Sequence, residues 1–356
     1  MALCLPQKRI VIKIGTSSLT YETGQLNYRH IENMANVICD LKNMGHQVVL
    51  VSSGASGVGV GRLGLAKKPD ASAKKRALAA SGQSGLMAMY ENFFGRYNCK
   101  VAQVLLTKSV INDTVKAKSI IKSFEEMFNY GVLPIVNEND VIASDEADSD
   151  DMFGDNDTLS AYVAVFIKAD ILVIWSDING LYNKDPRTSE DAKLIPIVFE
   201  VTEEIYSMAS GAGTMRGCGG MLTKLNAARI ATRAGIDMVI ANSKQPELLY
   251  EMLAGKSIGT LFKAQNINNL WSDCIKEVGV VSKWIVEGDW IYEILPNETE
   301  CAIREYKGKN ENIVVPEQCG GYPVTTFGND VSCVFINAKI QTVILPSTII
   351  KITRCA

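Results

Sequence analysis

The chain has 356 residues, a length that suggests two domains or one large domain with an appendage, and its 47% hydrophobic and 21% charged residues supply enough apolar material for a core. Lysine and arginine number 36 against 39 aspartates and glutamates, and the net charge of −3 argues against nucleic acid or an anionic membrane as a partner. Only two histidines are present, which excludes a three-histidine zinc site. The nine widely spaced cysteines form no C-x-x-C motif, which argues against zinc ribbons and thioredoxin-type chemistry.

Strands and helices alternate along the first three quarters of the chain. Short β-branched or apolar runs predict strands at residues 9–14, 48–51, 101–106, 132–136, 171–175, 238–241 and 259–262. Apolar residues at three- and four-residue spacing predict helices at residues 27–44, 73–94, 115–128, 158–168 and 221–234. This alternation predicts an α/β fold with a mainly parallel sheet and helices on both faces. Ligands of such sheets bind beyond the carboxyl ends of the strands.

The character of the sequence changes after about residue 263, where β-like segments rich in Pro, Gly and Asn replace the alternation. We therefore expect one domain at residues 1–264 and a small β-rich region at residues 265–356. The sequence opens without a signal-peptide pattern, and its apolar runs fall short of the ~18 residues that span a bilayer. These features predict a cytoplasmic protein with reduced cysteines and no membrane association.

Two glycine- and hydroxyl-rich clusters follow the first two predicted strands. In K-I-G-T-S at residues 13–17, Gly15 would let a phosphate approach the backbone and Lys13 would supply a positive charge. The cluster S-S-G-A-S-G at residues 52–57 could bind a phosphate or a carboxylate. Taken alone, each cluster could equally be an ordinary turn.

Two polar clusters follow the predicted strand at residues 132–136. Four consecutive polar side chains, N-E-N-D at residues 137–140, are costly to arrange without a ligand, and amides beside Asp140 suit an amino acid. A polar turn is the alternative. The cluster G-D-N-D at residues 154–157 opens the next helix, where Asp157 could simply be the N-cap. The acidic run at residues 145–151 is more typical of a solvated hairpin tip than of a metal site.

Later clusters suggest a nucleotide site. The segment S-D-I-N-G-L-Y at residues 176–182, with D-P-R at 185–187, suits a loop around a nucleotide, and G-C-G-G-M-L-T-K at residues 217–224 suits a phosphate at a helix start. Together the clusters contain two lysines, several glycine loops and carboxylates, but no histidine base or nucleophilic cysteine. This combination points to phosphoryl transfer. A carboxylate acceptor fits, because it is ionised at pH 7 and needs no general base.

The order of these motifs resembles the glutamate 5-kinases of the amino acid kinase superfamily. The resemblance rests on K-I-G-T-S, S-S-G-A, N-E-N-D, G-D-N-D, S-D-I-N-G-L-Y, D-P-R, G-G-M-L-T-K and G-T-L-F within residues 9–262. It implies an amino-acid-kinase-type three-layer sandwich. It also implies phosphorylation of the γ-carboxylate of L-glutamate by ATP with Mg²⁺, the first step of proline biosynthesis. Feedback inhibition by proline and assembly into a homodimer or homotetramer are implied as well.

The same resemblance assigns roles to individual residues. Lys13 and Lys224 would neutralise the transferred phosphoryl group, and Asp157 would orient both lysines. The substrate-binding residues that it implies are Ser53, Gly54, Asn137, Asp140, Asp155 and Asn156. The ATP-binding residues that it implies are Lys13, Gly15, Ser176, Asp177, Cys218, Gly219, Gly220, Met221, Leu222, Thr223 and Lys224. Cys218 and Ser176 depart from the usual residue types of the family, and no residue is assigned as a metal ligand.

The C-terminal region departs from many of these kinases, which end in a PUA domain whose pattern is missing from residues 265–356. Two segments, I-V-V-P with G-Y-P-V and V-I-L-P with I-I-K-I, instead resemble leucine-rich repeats of the bacterial cell-surface type. Fewer than the usual three repeats are visible, so an unusual small β domain is the alternative.

Two other functions are compatible with parts of the pattern. A kinase of another carboxylate, such as aspartate or N-acetylglutamate, would share the lysines, but the N-E-N-D and G-D-N-D clusters together favour a glutamate 5-kinase. A non-catalytic sensor of glutamate or proline would not need Lys13, Lys224 and Asp157, so their presence argues against it.

Overall fold

The computed structural model describes residues 7–21, 25–65, 67–69, 71–142, 153, 155–210, 220–265, 284–294, 299–306, 310, 312–327 and 342–352. The chain forms two compact units. The first comprises Met1–Ile111 and Ala117–Cys274, and the second comprises Asn112–Lys116 and Ile275–Ala356. Among the described residues, no helix combines the length and the apolarity needed to cross a bilayer.

An eight-stranded sheet forms the centre of the first unit. Its strands are β1 (Arg9–Ile14), β2 (Gln47–Ser52), β3 (Val101–Leu106), β4 (Leu133–Glu138), β5 (Ile171–Ser176), β6 (Ile197–Val198), β7 (Asp237–Asn242) and β8 (Thr260–Phe262). They lie in the order β3-β4-β2-β1-β5-β7-β8-β6, and all neighbours are parallel except β7 and β8. The predicted mainly parallel α/β fold is therefore confirmed.

Ten helices are present among the described residues up to residue 265. They are α1 (Thr16–Leu19), α2 (Tyr28–Asn43), α3 (Ala55–Arg62), α4 (Ser72–Gly95), α5 (Lys108–Asn112), α6 (Thr114–Asn129), α7 (Asn156–Phe166), α8 (Glu203–Ser210), α9 (Met221–Arg233) and α10 (Leu248–Leu253). The apolar stripe predicted in α2 is buried: Ile31, Met34, Ala35, Ile38 and Leu41 each expose 2% or less. The five helices predicted from periodicity are present, with ends shifted by up to two residues.

The alternation of side chains along β1 determines which residues face which helices. Ile10, Ile12 and Ile14 belong to the core cluster that includes the stripe of α2. Because successive side chains of a strand point to opposite faces, Lys13 points to the other face, where α7 packs against the sheet. A charged residue inside an otherwise apolar strand is thus directed into the layer that contains α7 and α9.

Helix α3 was not predicted, because the sequence of residues 52–57 was interpreted as a loop. Its glycines lower intrinsic helix propensity, yet they let α3 pack against α4 at backbone distance. A Cβ atom on Gly59 would lie 2.3 Å from the carbonyl oxygen of Leu78, and one on Gly82 would lie 1.7 Å from that of Ala55. The short elements α1, α5, α8, α10 and β6 also carry too little periodicity to be predicted.

The second unit is built from short strands. The strands are β9 (Trp284–Glu287), β10 (Trp290–Ile294), β11 (Cys301–Tyr306), β12 (Asn312–Val314), β13 (Gln318–Cys319), β14 (Tyr322–Phe327), β15 (Thr342–Ile344) and β16 (Lys351–Ile352). A sheet in the order β13-β14-β11-β10-β9, with β16 beside β14, contributes to a core that includes Tyr292, Ile303, Val324 and Phe327. A β-rich C-terminal region is therefore confirmed.

The two segments that resemble repeats pair with each other in this unit. Strands β12 and β15 are parallel, with Ile313 opposite Val343, and β14 and β16 are parallel, with Phe327 opposite Ile352. Parallel pairing of equivalent segments is what stacked repeats require. The leucine-rich-repeat interpretation nevertheless stays a prediction.

Candidate active site

The site lies where α7 meets the carboxyl ends of the central strands. Helix α7 packs against β1, β2, β4 and β5, and α9 packs beside α7. The predicted clusters at the ends of β1, β2 and β4 and at the starts of α7 and α9 therefore lie in one region, as expected for a parallel sheet.

Asp157 is the centre of this region and has no exposed surface. The Nζ atom of Lys13 lies 2.5 Å from its Oδ1, and the Nζ atom of Lys224 lies 3.0 Å from its Oδ2. The hydroxyl of Thr223 also donates to Oδ2, at 2.7 Å. Lys13 comes from β1 and Lys224 from the first turn of α9, so two ammonium groups distant in sequence share one carboxylate.

The start of α7 explains why Asp157 is available for the lysines. Asp155 is the N-cap: its carboxylate accepts from the backbone N–H of Thr158 at 2.8 Å and from the Thr158 hydroxyl at 3.0 Å. The alternative that Asp157 itself caps the helix is therefore wrong, and the helix begins at Asn156 rather than at residue 158. Asp157 lies in the first turn, where the helix dipole also favours a negative charge.

Electrostatics in this group are strongly coupled. Burial alone would raise the pKa of Asp157, but the charges of Lys13 and Lys224, with hydrogen bonds from Lys13 and Thr223, lower it below its ordinary value. Burial lowers the pKa of Lys13, and the nearby charge of Lys224 acts in the same direction, while Asp157 opposes both. Each ammonium has three N–H donors, so one shared carboxylate leaves donors of Lys13 for the oxygens of another anion.

An amide cluster lies next to this group. Asn156 Nδ2 donates to Asn137 Oδ1 at 3.0 Å and to Ser53 Oγ at 2.9 Å, and it lies 3.3 Å from the carbonyl oxygen of Ser52. Three residues predicted as substrate-binding, from β4, the β2–α3 connection and α7, are thus brought together. Gly54 follows Ser53 with a φ of 106°, a left-handed conformation that favours glycine.

Two further carboxylates predicted to bind substrate are partly buried. Asp140 lies in the turn after β4, and burial raises its pKa despite the opposing charge of Lys68. Burial also raises the pKa of Asp155, with hydrogen bonds from Thr158 opposing the shift and Asp157 adding to it. Among the described residues, the amide nitrogen of Asn156 has Asn137, Ser53 and Ser52 as its partners, and Asp140 is not one of them.

The predicted ATP-binding residues are spread over three elements. Gly15 follows β1, and a Cβ atom there would lie 3.6 Å from the Nζ atom of Lys13. Ser176 ends β5 and its hydroxyl donates to Asp177 at 3.1 Å. Gly220 is the N-cap of α9, Met221 is half-buried and Leu222 is exposed in its first turn. Cys218 and Gly219, like the acidic run at residues 145–151, lie outside the described residues.

Sequence reasoning missed Gln83, which belongs to the amide cluster. Its Oε1 accepts from Asn137 Nδ2 at 2.8 Å, and both side chains are buried. The available signal was a polar residue at a core position of α4, since Ala79, Leu86 and Tyr90 occupy the same buried stripe. Tyr90 was missed as well: its hydroxyl lies 2.6 Å from Ser52 Oγ and fixes the end of β2.

The sequence is similar to those of known kinases. The sequence model of the amino acid kinase family matches residues 8–242. Glutamate 5-kinase of Clostridium perfringens is 52% identical over 258 residues, which cover 72% of this chain and 96% of that protein. Glutamate 5-kinase of Clostridium tetani is 49% identical over 257 residues, covering 72% and 95%.

Solved structures show the same fold at low sequence identity. Carbamate kinase from Giardia lamblia bound to AMP-PNP superimposes with a TM-score of 0.51 and 18% identity, covering 73% of this chain and 99% of that chain. UMP kinase from Bacillus anthracis gives a TM-score of 0.50 and 17% identity, covering 73% and 97%. At such identities the similarity concerns the fold alone.

Proposed function

Because the chain belongs to the amino acid kinase family and, within it, to the glutamate 5-kinases, we propose that it transfers the γ-phosphoryl group of ATP to L-glutamate. The acceptor is the γ-carboxylate, and the products are L-glutamyl 5-phosphate and ADP, the first step of proline biosynthesis. The observation that supports the reaction most strongly is the convergence of Lys13 and Lys224 on buried Asp157, beside a pocket of amides.

The mechanism follows from positioning and charge. In phosphoryl transfer, negative charge spreads over the oxygens of the group in flight, and fixed cations stabilise it. Lys13 and Lys224 supply two such cations, and Asp157 holds their ammonium groups in place before the nucleotide arrives. The attacking γ-carboxylate is already ionised at neutral pH, so no side chain has to remove a proton.

For ATP, we propose the loop after β1 with Gly15, the end of β5 with Ser176 and Asp177, and the start of α9. Residues 218–224, including Cys218 and Gly219, would surround the phosphates. Helix α9 has 13 residues, and its N-terminal backbone N–H groups favour an anion. Thr223 is engaged by Asp157, so its hydroxyl contributes to the ATP site by holding that carboxylate.

Mg²⁺ would enter with the nucleotide. Among the described residues, no three His, Cys, Asp or Glu side chains are grouped as a metal site, and Asp157 is already occupied by two lysines. With few protein ligands among these residues, Mg²⁺ would be held mainly by phosphate oxygens and water, as it usually is in kinases. Bound in this way, the ion would neutralise charge on the β- and γ-phosphates.

For glutamate, we propose that Ser53, Gly54, Asn137, Asp155 and Asn156 form the pocket. Asp140 would accept hydrogen bonds from the α-ammonium group, and it would do so most strongly when its carboxylate is ionised. Proline would inhibit by overlapping this pocket. A cytoplasmic homodimer or homotetramer completes the proposal, on the resemblance to the family.

The acceptor assay tests this function. ADP release is measured with L-glutamate, L-aspartate and N-acetyl-L-glutamate, each with and without proline. We expect turnover with glutamate alone, because N-acetylation removes the ammonium group and aspartate is one methylene too short to reach the lysines. Equal or better turnover with either of the other two acceptors would overturn the assignment.

A further inference from the structure

Gln83 occupies a position that only close helix packing makes possible. Its neighbour Gly82 lies against the backbone of α3, where a Cβ atom would meet the carbonyl oxygen of Ala55. This approach places α4 directly behind the β2–α3 connection that carries Ser53. Gln83 consequently lies beside Asn137 with only 9% of its surface exposed, a polar side chain on an otherwise apolar face of the helix.

A chain of hydrogen bonds fixes which way each amide points. The backbone N–H of Glu138 can only donate, and it donates to Asn137 Oδ1 at 2.9 Å. Asn137 must therefore direct its Nδ2 towards Gln83, whose carbonyl oxygen Oε1 accepts the hydrogen bond at 2.8 Å. The polarity of Asn156 is fixed in the same way, because its Nδ2 donates to Asn137 Oδ1. Its Oδ1 then lies on the opposite side of that amide, as an acceptor.

This order of donors leaves one group unsatisfied. With its Oε1 committed to Asn137, Gln83 has only N–H donors left, and its Nε2 is buried without a hydrogen-bond partner among the described residues. A buried unpaired donor costs free energy, so such a group in a native structure calls for a partner that binds. The adjoining side chains are those proposed to bind the amino acid that is phosphorylated. The carboxylates of that amino acid are its strongest hydrogen-bond acceptors.

We propose that Gln83 is a substrate-binding residue whose Nε2 donates to the α-carboxylate of the acceptor amino acid. The inference rests on the proposed function and adds a residue to its pocket. We assign the α-carboxylate to Gln83 because the hydrogen bonds run from Gln83 through Asn137 to Asn156, the residue next to Asp157, where the γ-carboxylate must meet the lysines. By accepting a hydrogen bond from Asn137 through Oε1, Gln83 also fixes the orientation of the Asn137 amide, which in turn orients Asn156.

The first test replaces the amide by an apolar side chain of similar length. In Gln83→Met we expect the KM for glutamate to rise about tenfold to hundredfold, as for a lost hydrogen bond to a charged group. The KM for ATP and kcat should change less than about threefold. The wild-type protein should prefer glutamate to its α-amide, and this preference should shrink towards unity in Gln83→Met. Gln103→Met, at an exposed position of β3, is the matched control and should behave as wild type.

The second test separates binding from positioning. Gln83→Glu keeps an acceptor for Asn137 but replaces the donor by an anionic oxygen, so its KM for glutamate should rise at high pH. The ratio of this KM to that of wild type at the same pH should fall as the pH is lowered, because the protonated carboxyl group can donate. A role confined to holding Asn137 would leave this variant like wild type at every pH.

The outcomes distinguish the two proposals. Absence of glutamate turnover by the wild-type protein would refute the proposed function. Turnover by wild type, together with an unchanged KM and an unchanged preference for glutamate over its α-amide in Gln83→Met, would refute the role of Gln83 alone. Thermal unfolding with and without ADP checks that both variants are folded, and Gln83→Glu keeps the inference testable if Gln83→Met does not fold.

Discussion

Asp157 holds two lysines that are almost completely buried. Removing two cations and a carboxylate from water is costly, and their mutual attraction offsets this cost only while all three are present. The carboxylate therefore has a structural as well as a mechanistic role, since without it two buried ammonium groups would face each other.

We expect Asp157→Asn to reduce the free energy of unfolding by about 3–5 kcal/mol, the usual cost of removing one partner from a buried ion pair. Turnover should fall as well, because the lysines lose their fixed positions. Denaturant unfolding and ADP release measure the two effects. Asp191→Asn, which breaks an exposed pair with Lys184, should leave both unchanged. Equal stability of Asp157→Asn and wild type would contradict this account of the site.

The raised pKa of Asp140 predicts a pH dependence. Burial raises this pKa, so Asp140 becomes protonated at a higher pH than an exposed aspartate would. Because the ionised form binds the ammonium group more strongly than the neutral form, kcat/KM for glutamate should decline as the pH falls through that raised value. In Asp140→Asn the KM should be higher at neutral pH and this decline should be absent. An identical acid limb in the variant would exclude Asp140 from substrate binding.

At the scale of elements, periodicity was sufficient for strands and long helices. The run R-I-V-I-K-I gave β1, and the stripe of α2 was buried as expected. Helix α3 could not be predicted, because its glycines disfavour a helix in isolation and are explained only by the close packing of α4 against them. The strand order and the contact between Gln83 and Asn137 could not be predicted either, because both depend on residues that are distant in sequence. Lys13 and Lys224 were identifiable from the glycine-rich clusters that accompany them, and the role of Asp157 came from the resemblance to the glutamate 5-kinases.

Gly82→Ala tests the close packing of α3 on α4. The new methyl group would meet the carbonyl oxygen of Ala55 at 1.7 Å, so the helices must separate. We expect a loss of about 1–3 kcal/mol in the free energy of unfolding and a raised KM for glutamate, because Ser53 and Gln83 move apart. Gly61→Ala in the same helix pair has open space and should be neutral or slightly stabilising. Similar results for both variants would refute the packing argument.

At the scale of the whole molecule, the chain forms two compact units; the eight-stranded sheet lies in the first, and the described β-rich part of residues 284–352 lies in the second. We propose that residues 1–264 catalyse the reaction without the C-terminal region, since their last segment is anchored to the first unit. Lys263 and the backbone N–H of Ala264 both contact Asp237, and the N–H of Gln265 donates to Thr232.

A chain cut after Gln265 should therefore fold and keep kcat and both KM values within about twofold of the full chain. A chain cut after Ile258 is the matched control, because it lacks β8, which pairs with both β6 and β7. This shorter chain should aggregate or lose activity. Loss of activity on cutting after Gln265 would show that the C-terminal region takes part in the fold of the kinase or in its assembly.

The most direct measurement is the chemical nature of the product. With glutamate, ATP, Mg²⁺ and hydroxylamine, an acyl phosphate is trapped as a hydroxamate, which is measured alongside ADP. We predict one hydroxamate for each ADP in the wild-type protein, and at least a hundredfold slower formation in Lys224→Met, because a cation is lost from the group in flight. ADP release without hydroxamate, or an unchanged rate in Lys224→Met, would contradict transfer to a carboxylate between Lys13 and Lys224.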